Sequence, residues 1–279
     1  MTAGAPLRFS KMHGAGNDFV VIDLRGGATP PPPAVVQAIG DRHTGVGFDQ
    51  LLTVEDAASA DAVAAYRIWN ADGSPSRQCG NGARCIAAWL RRDGAATGER
   101  FRLDSPAGPI DVQVLADGQY RLDMGRPAFT ASRVPFVATG DGDVHELPAP
   151  GGPLRFGVVS MGNPHAVVEV DDVAAAPVAT IGPWLQARPE FPEGANVGFA
   201  QVLAPDRIRL RVFERGAGET LACGSGACAA AVVLMRRGRI GRHVAVELPG
   251  GTLRIDWPAD DAPVQMTGPA AFVFEGTWP

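Results

Sequence analysis

The apolar positions of the chain fall in many short runs separated by turn residues, a pattern that predicts several strands and few helices. Residues 19–22 and 66–69 are β-branched or aromatic runs next to turns rich in Gly, Asn and Asp, which is typical of strands. Helices are expected at residues 34–40, 82–92 and 178–187. Strands of several lengths with few helices indicate an α+β protein rather than a doubly wound parallel sheet.

This pattern occurs twice along the chain. Cys79 and Cys223 each open a Cys-Gly-(Asn/Ser)-Gly-Ala turn that leads into an apolar helix. Near the end of each helix stand an Arg-Arg pair and then a glycine, Gly94 or Gly238, which lies 15 residues after its cysteine. The agreement indicates an internal duplication.

The duplication extends upstream of the cysteines. The separation along the chain that relates Cys79 to Cys223 also relates Asn70 to Glu214, and these two residues take equivalent places at the ends of two strand-like runs. A repeated unit of about 120–150 residues is far longer than the roughly 20–50 residues of solenoid and propeller repeats, so it predicts two homologous domains. The other matches pair Gly16-Asn17 with Gly162-Asn163, and residues 46–50 with residues 197–201.

The predicted fold has two domains related by a pseudo-twofold axis. Each is expected to be a mixed or antiparallel sheet wrapped around a central helix, with the active site in the cleft between the domains. The N-terminal domain is predicted at residues 1–124, completed by residues 269–279, and the C-terminal domain at residues 125–268. Residues 125–153, which are rich in Gly, Pro, Asp and Thr, are expected to cross between them.

Composition and charge restrict the kind of partner. A net charge of −5 and a pI near 5.5 argue against a nucleic-acid-binding face. The longest apolar run, residues 227–235, is much shorter than the roughly 18 residues of a membrane helix, and the N-terminus lacks the pattern of a signal peptide. We therefore expect a small-molecule substrate, no nucleic-acid or membrane partner, and a cytoplasmic location in which thiols stay reduced.

The two cysteine turns are the first candidates for chemistry. Their glycines let backbone N–H groups approach a ligand, and the positive end of the following helix can hold a carboxylate or favour a thiolate. One of Cys79 and Cys223 can then take a proton while the other gives one. Cys85 and Cys228 have no cysteine opposite them in the other copy and are expected to be core residues.

Polar residues occupy paired positions around the two turns. An asparagine in a turn often serves backbone geometry alone. Six polar residues in paired positions around a duplicated thiol nevertheless favour a binding site. His165 and Glu214 are candidates for a secondary base that tunes a thiol. The three pairs are Asn17 and Asn163, Gln50 and Asn196, and Asn70 and Glu214.

The chain contains a single lysine, Lys11. An enzyme that uses pyridoxal phosphate needs a lysine for the Schiff base, so unless Lys11 takes that part the chemistry proceeds without this cofactor. The Cys-x₄-Cys spacing of Cys223 and Cys228 leaves a zinc site as an alternative, although the intervening Gly-Ser-Gly-Ala argues against it. We expect no cofactor and no metal.

The strings around both cysteines are long and specific. They are Asn-Ala-Asp-Gly-Ser at residues 70–74 with Cys-Gly-Asn-Gly-Ala-Arg at residues 79–84, and Glu-Arg-Gly-Ala-Gly-Glu-Thr at residues 214–220 with Ala-Cys-Gly-Ser-Gly at residues 222–226. With these strings, and with residues 9–19 and 266–270, the chain resembles the diaminopimelate epimerases over nearly its full length.

The resemblance implies an isomerase that interconverts LL- and meso-2,6-diaminoheptanedioate without pyridoxal phosphate, in lysine and peptidoglycan-precursor biosynthesis, and that forms a homodimer. It implies that one of Cys79 and Cys223 is a thiolate base and that the other, as a thiol, protonates the opposite face. Arg215 and the asparagines would read the distal amino-acid group. The residues that match the family's substrate-binding positions are Asn17, Gln50, Asn70, Gly80, Asn81, Asn163, Asn196, Glu214, Arg215, Gly224 and Ser225.

Two alternatives stay open. A proline or hydroxyproline racemase-like enzyme shares the two-thiol logic, although Asn196, Glu214 and Arg215 in their present contexts argue against it. A non-enzymatic redox or metal-binding protein could use the cysteines as a switch, but it leaves the paired Asn and Gln residues unexplained.

Overall fold

The computed structural model describes residues 6–77, 79–137 and 142–279. The chain forms two compact units, one of residues up to Leu122 together with Gly268–Pro279, and the other of Asp123–Thr267. Strands far outnumber helices in the described residues, which confirms the α+β class.

The elements of the first half of the chain are mostly strands. They are β1 (Leu7–Gly14), β2 (Asn17–Asp23), α1 (Pro33–Gly40), β3 (Gln50–Glu55), β4 (Ala62–Asn70), β5 (Pro75–Ser76), α2 (Gly80–Asp93), β6 (Arg100–Ser105), β7 (Gly108–Val114) and β8 (Tyr120–Asp123). The second half begins with a 3₁₀ turn at Ala131–Arg133 and continues with β9 (His145–Ala149), β10 (Gly152–Ser160), β11 (Pro164–Glu169), α3 (Val178–Gln186), β12 (Asn196–Ala204), β13 (Arg207–Glu214), β14 (Gly218–Thr220), α4 (Gly224–Arg236), β15 (His243–Leu248), β16 (Gly251–Asp256), β17 (Gln265–Gly268) and β18 (Ala271–Trp278).

The two units repeat one strand order. In the first unit the neighbours are β18, β1, β2, β3, β4, β6, β7 and β8, with β5 paired to β4. In the second they are β9, β10, β11, β12, β13, β15, β16 and β17, with β14 paired to β13. The parallel pairs fall at the same places, β2–β3 and β4–β6 in one unit and β11–β12 and β13–β15 in the other. The chain end supplies β18 where the second unit uses β9.

Each unit packs one long helix against its sheet. Helix α2 contacts β1, β2 and β3, and helix α4 contacts β10 to β13. All α2 residues from Gly80 to Leu90 are buried, which fits the small or apolar character of most of them, while Asn81 and Arg84 are buried polar residues. After α2 comes Gly94 with φ 87°, a left-handed conformation that glycine adopts readily at helix ends. No helix in the described part of the chain is long and apolar enough to cross a membrane.

The described parts of the segment expected to cross between the domains, residues 125–137 and 142–153, contribute side chains to the core of the second unit. Phe136 is buried and its ring lies edge-on to that of Phe156, with centroids 6.0 Å apart. Val134 and Leu147 belong to the same apolar cluster. A few isolated apolar side chains in a stretch rich in turn residues therefore supply this burial.

One sequence match is wrong. Residues 46–50 were aligned with residues 197–201, but β3 begins at Gln50 whereas its topological counterpart β12 begins at Asn196. Gln50 is therefore equivalent to Asn196. The Val-Gly-Phe string precedes β3 at residues 46–48 but lies within β12 at residues 197–199, and the strand pairing supports the predicted pair of Gln50 with Asn196.

Candidate active site

Cys79 lies at the N-terminal end of helix α2. Its backbone is extended (φ −153°, ψ 101°) and it caps the helix, which starts at Gly80, two residues before the predicted start. The sulfur accepts a hydrogen bond from the N–H of Gly82 at 3.4 Å. Because the first N–H groups of a helix lack partners and carry the positive end of its dipole, this position stabilises negative charge.

Asn17, the first residue of β2, faces the sulfur of Cys79. The Sγ–Oδ1 distance is 3.6 Å, with the thiol as donor. The same oxygen accepts a hydrogen bond from Nδ2 of Asn81 at 3.2 Å. Cys79 can therefore donate to Asn17 as a thiol and accept from Gly82 as a thiolate, so both protonation states have a partner.

A carboxylate that the sequence did not single out, Asp49, holds the other end of the Asn17 amide. Nδ2 of Asn17 donates to Oδ2 of Asp49 at 2.7 Å, and the guanidinium of Arg42 lies 2.7 Å from Oδ1. Ala195 takes the equivalent place before β12, so the internal repeat gave no signal for Asp49. Its position directly before a predicted binding residue is the only hint in the sequence.

The buried side chain of Arg84 supports the turn from within the unit. Its Nη2 donates to Oδ1 of Asn81 at 2.8 Å, and its Nε donates to the carbonyl of Pro269 at 3.1 Å. Gly14 leaves room for this guanidinium, because a Cβ there would lie 3.1 Å from Nη2 and 3.2 Å from the carbonyl oxygen of Asn81, which is tighter than ordinary van der Waals contact. Asn81 is 1% exposed and is therefore held in one orientation.

Gln50 and Asn70 lie opposite each other on β3 and β4. Nε2 of Gln50 donates to Oδ1 of Asn70 at 3.1 Å, and Nδ2 of Asn70 donates to the hydroxyl of Ser74 at 3.1 Å. The two amides are thus ordered by each other and by the turn that follows β4.

Cys223 caps helix α4 and is almost fully buried. Its thiol donates to Oε2 of Glu214 at 3.0 Å, and the hydroxyl of Ser225 lies 3.7 Å from the sulfur. Burial, then repulsion by the Glu214 carboxylate, raises the pKa of Cys223 well above its usual value, while Ser225 and the backbone at Gly226 act in the opposite direction. The geometry favours the thiol form.

Glu214 is positioned for this contact by the hairpin of β13 and β14. Its Oε1 accepts a hydrogen bond from the hydroxyl of Thr220, which leaves Oε2 directed to the sulfur of Cys223. Because both oxygens have partners, the carboxylate has a defined orientation. Thr220 lies in the matched string but was not singled out as a site residue.

His165 reaches Cys223 only through two intermediates. Its Nε2 lies 3.0 Å from Oδ1 of Asn163, and Nδ2 of Asn163 lies 3.5 Å from the hydroxyl of Ser225. Burial, together with the charge of Arg215, lowers the pKa of His165 to about 3. A neutral imidazole that donates to Oδ1 fits this network, so the structure offers His165 a positioning role instead of the expected role of a base.

Asn196 and Arg215 form the remaining group of predicted residues. Oδ1 of Asn196 accepts a hydrogen bond from the backbone N–H of Arg215 at 2.9 Å. The guanidinium of Arg215 donates to the carbonyl of Glu193 at 2.7 Å, and the residue is exposed. Asn196 thus fixes the backbone from which the cationic side chain extends.

The structure therefore brings the predicted residues together in two sets, one in each unit. We call the first the Cys79 half-site, formed by the predicted residues Cys79, Asn17 and Asn81 together with Asp49, which was not predicted. The second is the Cys223 half-site, formed by Cys223, Glu214, Ser225, Asn163 and His165. Gly80 and Gly224 are the first helical residues after the cysteines in α2 and α4.

The other two cysteines lie inside the helices. Cys85 and Cys228 are both 0% exposed, and burial raises the pKa of Cys85. Within residues 6–77, 79–137 and 142–279, no cluster of three or more His, Cys, Asp or Glu side chains is arranged to hold a metal ion.

The fold is shared with solved structures of low sequence identity. A hydroxyproline epimerase from Agrobacterium vitis superposes with a TM-score of 0.73 at 16% identity, covering 100% of this chain and 94% of that chain. A phenazine-biosynthesis protein from Bacillus anthracis superposes with a TM-score of 0.69 at 15% identity, covering 98% of this chain and 99% of that chain. These superpositions show that the chain shares the overall fold of these solved proteins.

The family follows from closer relatives. The family model described as diaminopimelate epimerase matches residues 9–130 and 157–273. A diaminopimelate epimerase from Xanthomonas euvesicatoria pv. vesicatoria (strain 85-10) is 60% identical over 273 residues, covering 98% of this chain and 96% of the relative. One from Xylella fastidiosa (strain M12) is 57% identical over 274 residues, with the same coverage. The chain belongs to the diaminopimelate epimerase family, and it is accordingly an isomerase.

Proposed function

We propose that the chain interconverts LL- and meso-2,6-diaminoheptanedioate, a step of lysine and peptidoglycan-precursor biosynthesis, with Cys79 and Cys223 as the two acid–base groups. The observation that carries this proposal is the pair of equivalent cysteines. Each caps a helix, and each sulfur lies beside a hydrogen-bond acceptor, Oδ1 of Asn17 or Oε2 of Glu214.

The chemistry needs two thiols because the configuration of the α-carbon must invert. One cysteine, as thiolate, takes the α-proton and becomes a thiol, and the C–H electron pair stays on the substrate as a carbanion. The other cysteine, as thiol, gives its proton to the opposite face and becomes a thiolate. The reverse reaction uses the same two groups with their roles exchanged.

The starts of α2 and α4 are suited to the carboxylate at the reacting carbon. The backbone N–H groups of Gly80, Asn81, Gly224 and Ser225 belong to the first turns of these helices, where a negative charge is stabilised. The same donors would stabilise the carbanion, since its charge spreads onto the carboxylate oxygens.

The remaining polar residues are proposed to read the distal amino-acid group. Arg215 can form a two-pronged contact with a carboxylate, and the amides of Gln50, Asn70 and Asn196 can bind an ammonium or carboxylate group. A site built to satisfy both ends of the substrate would reject shorter amino acids, because its polar groups would then lack partners.

Glu214 and His165 are proposed to have different roles. Glu214 accepts the hydrogen bond of the Cys223 thiol and can take that proton when the thiolate is needed. His165 is too weak a base for a thiol, because its pKa is about 3, and it instead orients Asn163.

We also propose that the reaction proceeds without pyridoxal phosphate. Lys11, the single lysine, is 8% exposed, and its ammonium lies 2.5 Å from Oδ2 of Asp18. It also donates to the carbonyl of Gly47. A buried ammonium held by a carboxylate and a carbonyl is poorly suited to form a Schiff base, which requires the neutral amine.

A cytoplasmic homodimer is proposed from the family resemblance. Support comes from β18, where the consecutive residues Phe272, Val273 and Phe274 are 37%, 56% and 48% exposed. A contiguous exposed apolar stretch is typical of an interaction surface. Sedimentation analysis should give twice the chain mass, and a monomer at all concentrations with full activity would contradict the proposal.

Solvent deuterium incorporation tests the activity directly. Protein freed of metal and pyridoxal phosphate is incubated with the LL substrate in deuterium oxide, and the α-carbon is followed by NMR. We expect deuterium at that carbon together with meso product. Exchange of proline with no exchange of the diamino acid would instead place the chain with the proline racemases, and stoichiometric zinc in the purified protein without exchange would favour a metal-binding role.

A further inference from the structure

The Asn17 side chain lies in a directed chain of hydrogen bonds. Arg84, which can only donate, bonds to Oδ1 of Asn81 at 2.8 Å. Nδ2 of Asn81 donates to Oδ1 of Asn17 at 3.2 Å, and Nδ2 of Asn17 donates to the carboxylate of Asp49 at 2.7 Å. Because a carboxylate can only accept, the chain has one direction and ends at Asp49, and within it Oδ1 of Asn17 is the atom that faces the Cys79 sulfur.

Asp49 is itself held on several sides. Its Oδ2 also accepts the backbone N–H of Asp18 at 3.2 Å, and its Oδ1 lies 2.7 Å from Arg42. Burial acts to raise the pKa of Asp18, but hydrogen bonds from Arg42 and Lys11 lower it to about 2, so this neighbouring carboxylate is ionised at neutral pH. Arg42 and Nδ2 of Asn17 are both donors. An amide at position 49 would direct its own NH₂ group toward one of them, so that one of the two hydrogen bonds would be lost.

The second unit reverses the direction. There the ring of His165 donates to Oδ1 of Asn163, so Nδ2 of Asn163 faces Ser225. Ala195 occupies the position that corresponds to Asp49, so this position has no carboxylate that could bind the NH₂ group of Asn163. The equivalent asparagines therefore present an oxygen to the Cys79 half-site and an NH₂ group to the Cys223 half-site.

We propose that Asp49 is a positioning residue of the reaction: it orients Asn17 so that its amide oxygen accepts the hydrogen bond of the Cys79 thiol. The inference rests on the proposed function of Cys79 as one of the two acid–base groups. Without the carboxylate, the Asn17 amide retains the 3.2 Å hydrogen bond from Asn81 but loses the shorter, 2.7 Å bond that holds its NH₂ group away from the sulfur. A donor turned toward the sulfur would stabilise the thiolate at the expense of the thiol.

A double-mutant cycle tests this coupling. The variants are Asn17→Ala, Asp49→Asn and the double variant, with Asp56→Asn as a matched control. Asp49 directly precedes β3 and Asp56 directly follows it. The Asp56 carboxylate accepts a hydrogen bond from the N–H of Gly26 at 2.8 Å, so it is a carboxylate with a backbone contact at the opposite end of the same strand. The first readout is the alkylation rate of Cys79 by iodoacetamide as a function of pH, measured on the Cys79 peptide by mass spectrometry. The second is kcat and KM for epimerisation.

We expect Asp49→Asn to increase Cys79 alkylation at neutral pH about fivefold, because the thiol loses its acceptor, and to lower kcat by about tenfold with a smaller change in KM. Asn17→Ala should change both in the same direction. In the Asn17→Ala background, Asp49→Asn should have no further effect, because the carboxylate acts through the amide. The Asp56→Asn control should resemble the unmodified protein.

Two results would overturn the proposal. Additive effects in the double variant would mean that Asp49 acts on Cys79 through space, independently of Asn17. Unchanged alkylation and kcat in Asp49→Asn would mean that the carboxylate has no such role. If Asp49→Asn fails to fold, Asp49→Ala is measured in its place by the same cycle. Alkylation does not require turnover, so a failure of the proposed epimerase function would leave this readout interpretable.

Discussion

The two half-sites share a backbone and differ in the groups around the sulfur. Each cysteine is an extended residue at the N-cap of a long buried helix whose first turn contains two glycines. Cys79 is partly exposed and faces an amide oxygen and a backbone N–H, whereas Cys223 is buried and faces the carboxylate of Glu214. Duplication supplied two thiols, and a few substitutions made their surroundings unequal.

This inequality has a chemical use. A buried thiol beside a carboxylate resists ionisation unless the carboxylate takes the proton, while a sulfur that has both a donor and an acceptor can hold either state. Asn70 and Glu214 are equivalent in the repeat and show where the difference arises. Asn70 is hydrogen-bonded to its neighbours Gln50 and Ser74, whereas Glu214 accepts a hydrogen bond from the sulfur of Cys223. The comparison can be tested at four levels.

The largest effect is expected from removing either thiol. Cys79→Ala and Cys223→Ala should each lower kcat for epimerisation by about 10³-fold or more, because the acid or the base is lost. Circular dichroism should show an intact fold for both. Cys228→Ala serves as the control, since that cysteine is buried in α4, and activity close to normal in either catalytic variant would rule out the two-thiol mechanism.

Glu214→Gln should affect the Cys223 half-site alone. The substitution removes the charge that raises the pKa of Cys223 in addition to burial, so the pKa should fall while the geometry is kept. We expect kcat to drop by about 100-fold and the pH at which Cys223 is alkylated to move down. Glu219→Gln, which alters an exposed pair with Arg211, is the control. A downward move of the Cys79 alkylation profile of equal size would show that the half-sites are not separate.

His165 should make the stability of the second unit depend on pH. Its pKa is about 3 in the folded chain against 6.5 for the free side chain, so the unfolded state binds the extra proton between these values. The neutral His165 side chain therefore stabilises the folded chain fully above pH 6.5, and this stabilisation is lost as the pH falls. At about pH 5 the free energy of unfolding should be lower by roughly 2 kcal/mol.

His165→Gln keeps a donor for Asn163 but does not titrate. The difference in unfolding free energy between this variant and the unmodified protein, measured in urea, should therefore shift by that amount between neutral pH and pH 5. The pKa of His145 is also lowered by burial, but it contributes equally to both proteins and cancels. The exposed His43→Gln variant is the control, and a pH-independent difference for His165→Gln would contradict the assignment.

The smallest effect compares the equivalent glycines Gly82 and Gly226. A Cβ at Gly226 would lie 3.2 Å from the sulfur of Cys223 and 3.1 Å from Val212, whereas one at Gly82 would lie 3.5 Å from the sulfur of Cys79 and 3.2 Å from the flexible end of Leu52. Gly226→Ala should lower kcat by about tenfold because the sulfur must move, and Gly82→Ala by about twofold. Thermal unfolding should show that both variants fold. The reverse order of activities would mean that sulfur placement is not the limiting factor.

Much of the fold class and the local chemistry could be read from short strings. The α+β class and the helices near residues 34, 82 and 178 were predicted correctly apart from their ends, because apolar periodicity and glycine turns act over a few residues. The core role of residues 125–153 was missed, since Phe136 and Leu147 acquire it only by packing against distant strands. Asp49 was missed because the repeat has no aspartate at the corresponding place.

The sequence by itself determined that the chain carries two cysteine-capped helices and the polar residue types around them, because a helix cap and a glycine turn are local properties. Tertiary structure decided which of two conflicting sequence matches of Gln50 holds, the one with Asn196, and it decided which way each asparagine amide points. Those properties depend on strand register and on hydrogen-bond partners such as Asp49 for Asn17, which lies 32 positions away along the chain. A directed hydrogen bond between distant residues has no signature in the order of amino acids, and it exists only after the chain has folded.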